Sequence, residues 1–137
     1  MLINWSFIFN YYFKINLGFF LELYLGNLIK KKKYKVWHFV FLNYKSLILI
    51  NSLYNLKQKI IVTFQGADIQ INKKISYGNR LDKKYDFFLK KTLNKISKFT
   101  SISKNIYSDL IKIGVKKHKI YNIPNGVPLK NFKRNRF

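Results

Sequence analysis

From about residue 34 onward the chain alternates two hydrophobic periods. Residues 35–42, KVWHFVFL, form a short, nearly continuous apolar run, the pattern of a strand buried on both faces. Asn43 stands where a helix N-cap belongs, and Leu47, Ile50, Leu53 and Tyr54 then recur at helical spacing. Residues 59–64, KIIVTF, read as a second buried strand, and residues 65–83, which contain Gly66 and Gly78, as mostly loop. The next spacing predicts a helix around 84–96, with Tyr85, Phe88, Leu89, Leu93 and Ile96 on one face and lysines around the other. KFTSI at 98–102 predicts a short strand. Ser103 is a natural N-cap, Ile106, Leu110 and Ile113 give the following helix its apolar face, and Gly114 stops it. HKIYNI at 118–123 predicts a last strand, ended by Pro124-Asn125-Gly126.

Strands that alternate with helices imply βαβ units joined by right-handed crossovers. The expected fold class is therefore α/β, a three-layer α/β/α arrangement around a mainly parallel sheet. Residues 1–29 are expected to be mostly helical and to cover one face of that sheet. No convincing opening strand precedes them, so the domain, taken as 1–137, is expected to lack its first strand.

Composition narrows the chemistry. The chain has 137 residues, 48% of them hydrophobic, enough for a single domain with a core and unlike a disordered segment. The absence of cysteine excludes disulfides, thiolate metal sites and cysteine nucleophiles. With only His38 and His118, a histidine-rich metal site is excluded as well, and no metal or cofactor is expected. The net charge is +22, from 27 Lys and Arg against five acids: Glu22, Asp68, Asp82, Asp86 and Asp109. Such a balance points to a polyanion, whether nucleic acid, an anionic membrane or a phosphorylated ligand. A second explanation stays open. Only Arg80, Arg134 and Arg136 are arginines, and Lys, Asn, Ile, Phe and Tyr all have AT-rich codons, so base composition of the gene produces the same bias. Genomic bias should spread lysines over exposed helix faces, whereas a binding site should gather them.

Residues 2–29 are apolar but interrupted by Asn4, Asn10, Lys14, Asn16 and Glu22. They match neither a spanning helix nor a signal peptide. A cytoplasmic location is expected, and peripheral attachment to the inner face of the cell membrane is compatible with the charge.

In open parallel sheets, ligands bind beyond the carboxyl ends of the strands. Three clusters fall at such ends: Gln65-Gly66-Ala67-Asp68, Ser101 with Ser103, and Asn125-Gly126. Each also has a purely architectural reading. Gly66 suits a tight turn, Asp68 a helix cap, Ser103 an N-cap, and Asn-Gly a turn pair. His38 lies inside an apolar run and reads as a core histidine. His118, beside Lys116, Lys117 and Lys119, reads as solvated.

The order of these pieces resembles the N-terminal domain of family-4 glycosyltransferases of the GT-B type. That family shows a "DvvH" strand, a helix, a "TxHGxD" strand and loop, a further helix, and a strand leading to a serine-containing turn. It continues through "lxxxGvxxxKIxVIPNGVDxxxF". The matching stretches are YKVWHFVF at 34–41, IVTFQGADI at 61–69, KFTSISKNIYSDLIKIGV at 98–115 and HKIYNIPNGVPLKNF at 118–132. The resemblance implies a Rossmann-like domain, the acceptor-side half of a GT-B fold. Its implied reaction is transfer of a sugar from a nucleotide-diphosphate donor to a glycan or lipid-linked acceptor, with retention. Gln65, Gly66 and Asp68 would form the sugar-facing loop, and Ser103, Asn125 and Gly126 would line the cleft; no nucleophile can be named. Departures are Gln65 where the family commonly has His, Pro128 where it often has Asp, and no glycine-rich loop after a first strand. The family's donor-binding domain, with its E-x7-E glutamates, has no counterpart here, so the chain is expected to be an N-terminal half that is inactive by itself. The competing reading is a basic module that binds nucleic acid or an anionic membrane without catalysis. Nucleic acid is the less favoured partner, because the aromatics fall mostly at core positions and no RRM, KH or zinc-finger signature occurs.

Overall fold

A computed structural model describes residues 17–126 of the chain. Helix α1 (Leu17–Lys32) precedes strand β1 (Val36–Phe39). Helix α2 (Tyr44–Asn55) leads to β2 (Lys59–Phe64), and α3 (Lys83–Leu93) to β3 (Lys98–Ser101). Helix α4 (Lys104–Lys112) is followed by β4 (Ile120–Asn122). The loop between β2 and α3 holds two short 3-10 turns, Lys73–Ile75 and Asn79–Leu81.

The four strands form one parallel sheet in the order β1-β2-β3-β4, as expected for a Rossmann-like α/β domain. Every crossover moves one strand along in the same direction. Right-handed crossovers of that kind place α2, α3 and α4 on one face of the sheet, and burial agrees. Ile60, Val62, Phe64 and Phe99 on that face are buried against Ile50 and Leu53 of α2, Leu89 of α3 and Leu110 of α4, in one cluster. The Phe64 and Phe99 rings stack with centroids 6.3 Å apart. Among the described residues no helix covers the other face, which carries Val36, His38 and Tyr121, all exposed.

That one-sidedness corrects two expectations. The run at 35–42 is not a strand buried on both faces: β1 keeps four residues, and their exposure alternates. His38 is not a core histidine; it is exposed, with Nε2 2.7 Å from the Thr63 hydroxyl. The cause is position, since β1 is the edge of the described sheet and only its Trp37 and Phe39 side packs inward. The last strand starts at Ile120, and His118 lies exposed in the turn Lys117–Lys119 that precedes it. Helix α3 stops at Leu93, leaving Ile96 buried in the turn before β3.

Local chemistry sets the helix ends. Asn43 accepts from the Ser46 N–H at 3.0 Å while Ser46 Oγ accepts from the Asn43 N–H at 2.8 Å, a reciprocal capping box. Asp82 caps α3 through the N–H groups of Lys84 and Tyr85. Gly114 ends α4 at φ 96, the left-handed conformation that glycine takes most easily. The stretch 17–29 is helical as expected but does not cover the open face of the sheet, and residues 1–16 lie outside the described residues. Helix α1 packs against α2, and no helix among the described residues is long and apolar enough to cross a membrane.

Candidate functional site

Parallel pairing lines up the strand ends. Phe64 is in register with Ser101, and Ser101 with Asn122, and the Ile123 N–H extends the ladder by donating to the Ser101 carbonyl at 2.8 Å. Gln65-Gly66, Ser103 and the 123–126 segment therefore leave the sheet at one edge, as the sequence predicts. Gln65, Ser103, Asn125 and Gly126 are exposed there.

Asp68 belongs to the same loop but points inward and is fully buried. Its Oδ1 accepts from the backbone N–H groups of Gln65 and Gly66, both at 3.0 Å, and its Oδ2 from the Leu42 N–H at 3.2 Å. One carboxylate thus ties the loop after β2 to the loop after β1. Burial pushes its pKa up, against the lowering effect of the N–H groups of Leu42, Gly66 and Gln65. Any ligand at this edge would meet the backbone that Asp68 holds rather than its oxygens.

Gly66 makes the turn possible. Its φ is 130, and its carbonyl accepts from the N–H groups of Ile69 and Gln70. A Cβ there would lie 2.9 Å from the Tyr77 hydroxyl and 3.2 Å from Gln70 Oε1. Two further side chains brace the same ground. The Tyr85 hydroxyl donates at 3.1 Å to the Leu42 carbonyl or at 3.2 Å to that of Asp68, and burial raises its pKa. Arg80 donates to the Ile69 carbonyl at 2.9 Å and pairs with Asp86 at 2.6 Å. Desolvation raises the Asp86 pKa, but the bonds from Lys90 and Arg80 outweigh it and leave the carboxyl below its ordinary value.

Ser103 caps α4 by accepting from the Ile106 N–H at 3.3 Å, and its carbonyl accepts from the buried Ser101 hydroxyl at 2.6 Å. Tyr77, Tyr85 and Arg80 were not singled out by the sequence. Tyr85 carries the apolar spacing of a core residue, and nothing in that spacing marks a hydroxyl that reaches two loop carbonyls. Among the described residues, no three His, Cys, Asp or Glu side chains gather as metal ligands.

The match that decides the family covers nearly the whole chain: a family model, Glycosyltransferase Family 4, fits residues 4–131. The chain belongs to glycosyltransferase family 4. No curated protein and no solved structure matches it. As a family-4 N-terminal domain, it is a glycosyltransferase-type protein whose partners in general are a sugar donor and an acceptor.

Proposed function

We propose that this chain supplies the acceptor-side half of a retaining sugar-transfer cleft. The donor is a nucleotide-diphosphate sugar held mainly by a second domain, and the acceptor is a glycan or lipid-linked glycan. One observation carries the reading: at the carboxyl edge the exposed groups Gln65, Ser103 and Asn125 are all uncharged, and the backbone at Gln65 and Gly66 is held from below by buried Asp68. An edge of that kind positions hydroxyl groups through side-chain amides and hydroxyls, without a proton shuttle. Gln65 keeps hydrogen-bonding capacity there but cannot change charge.

The test is a titration of isotope-labelled chain with candidate glycan acceptors, read by amide chemical shifts. Shifts should concentrate at Gly66, Ser103 and Gly126. Transfer itself should be undetectable with the chain alone and a panel of nucleotide sugars, and should appear on co-expression with a donor-binding domain. Robust turnover by the 137-residue chain alone, or acceptor shifts confined to the opposite edge of the sheet, would overturn the assignment.

A further inference from the structure

The lysines are not spread evenly. The residues directly after the strands, 40–43, 65–72, 102–103 and 123–126, carry no Lys or Arg, although the loop from β2 goes on to Lys73, Lys74 and Arg80 and α4 opens on Lys104. The segments that lead into the strands are dense with lysine. Residues 30–33 precede β1, Lys57 and Lys59 open β2, Lys95 and Lys98 open β3, and Lys116 and Lys119 precede β4. Helix dipoles account for lysines in last turns, such as Lys30, Lys31, Lys32, Lys90 and Lys112, but not for Lys57, Lys59, Lys95, Lys98, Lys116 and Lys119, which lie beyond the helix ends.

Between the starts of β2 and β3 the surface forms a concavity of about 610 Å³. Lys57, Lys59, Lys95 and Lys119 line it together with Tyr54 and Ser97, and no acid does. Helix α1 lies at the same edge. Glu22 accepts from Asn55 at 2.7 Å, at the very end of α2, and Gly26 sits against Leu56. Leu21, Leu25 and Ile29 of α1 turn inward, while Leu23 and Tyr24 are 54% and 65% exposed, just before Lys30, Lys31 and Lys32.

We propose that this amino-terminal edge docks on an anionic lipid bilayer, with phosphate headgroups at the lysine-lined concavity and Leu23 and Tyr24 dipping into the interface. Apolar side chains beside a basic run suit a bilayer boundary, and tyrosine sits well at headgroup level. A nucleic acid would match the charge but leave Leu23 without a partner. The docking surface is opposite the candidate sugar site and does not depend on that assignment. It would leave the carboxyl edge open above the membrane.

The full chain should float with mixed phosphatidylcholine–phosphatidylglycerol vesicles and not with pure phosphatidylcholine, and its binding should fall as salt rises. Replacing Lys31, Lys57, Lys59 and Lys116 by Gln should weaken partitioning by about a hundredfold or more. Removing the same charge at Lys73, Lys74, Lys83 and Lys104 should cost far less. Leu23→Gln with Tyr24→Gln should weaken it about tenfold and leave the salt dependence unchanged. Equal losses for the two lysine sets, salt-insensitive binding of the unsubstituted chain, or tighter binding to a single-stranded oligonucleotide than to the anionic vesicles would each overturn the proposal.

Discussion

Replacing Asp68 tests whether one buried carboxylate holds the candidate site together. It accepts three backbone N–H groups, from Gln65, Gly66 and Leu42, at 3.0, 3.0 and 3.2 Å. Bonds to a charged acceptor contribute about 1.5–3 kcal/mol each, and release of the carboxylate from burial gives back several kcal/mol. The net loss for Asp68→Ala should be about 3 kcal/mol, and for Asp68→Asn, which keeps one acceptor oxygen, about 2 kcal/mol. With an m-value near ~1.5 kcal/mol/M, the urea midpoint of the Ala variant should fall by about 2 M. The pH dependence has a definite sign. Burial holds the Asp68 carboxyl above its ordinary 3.8, so the folded chain binds that proton more tightly than the unfolded chain. The resulting stabilisation is fully present below 3.8 and is lost as pH rises through the higher folded value. Asp68→Asn lacks this titration, so its deficit against the parent should be largest in acid and shrink toward neutrality. Urea melts followed by circular dichroism across that range decide it. A deficit below about 0.5 kcal/mol throughout would show that the loop does not need the carboxylate. A deficit that grows with pH would show that the three N–H donors outweigh burial.

Other substitutions separate conformation from contact. Gly66→Ala should cost about 1–3 kcal/mol in thermal or urea melts because φ 130 is unfavourable for any side chain, and Tyr77→Phe should relieve only the steric share. Gly78→Ala should cost more, since its Cβ would fall 1.9 Å from the Gln70 carbonyl oxygen, a backbone atom that cannot swing away. Tyr85→Phe should lose about 1–1.5 kcal/mol by leaving two loop carbonyls without their shared donor. Gln65→Ala should change stability by less than about 0.5 kcal/mol, because the side chain is exposed, yet it should weaken acceptor-induced amide shifts. A large stability loss would place that side chain in the architecture instead.

The strands and their common direction were legible because KIIVTF is an apolar run, KFTSI is a short stretch between two helical patterns, and Asn43, Ser103 and Gly114 mark helix ends by backbone chemistry alone. Exposure was less legible. In VWHFVF every outward position except His38 is also apolar, so the alternation of β1 is hidden by a composition rich in aromatic and branched residues. Asp68 shows a second limit. A Gly-x-Asp loop announces a turn, but whether the carboxylate faces a ligand or folds back on its own N–H groups depends on how near the β1 loop comes, and that distance is tertiary. Lysine placement could be seen only once the two ends of each strand were known.

The strand order has a consequence for synthesis. Each strand pairs with the one made immediately before it, with a helix between them. Among the described residues, no later segment has to be inserted between strands already joined. As the chain leaves the ribosome, β2 can dock on β1 before β3 exists, and each further βα unit adds to a finished edge, in keeping with the N-terminal-first order of folding during translation. Ribosome-stalled chains of increasing length should therefore gain protease resistance in steps, one for each completed strand, rather than in a single jump at full length.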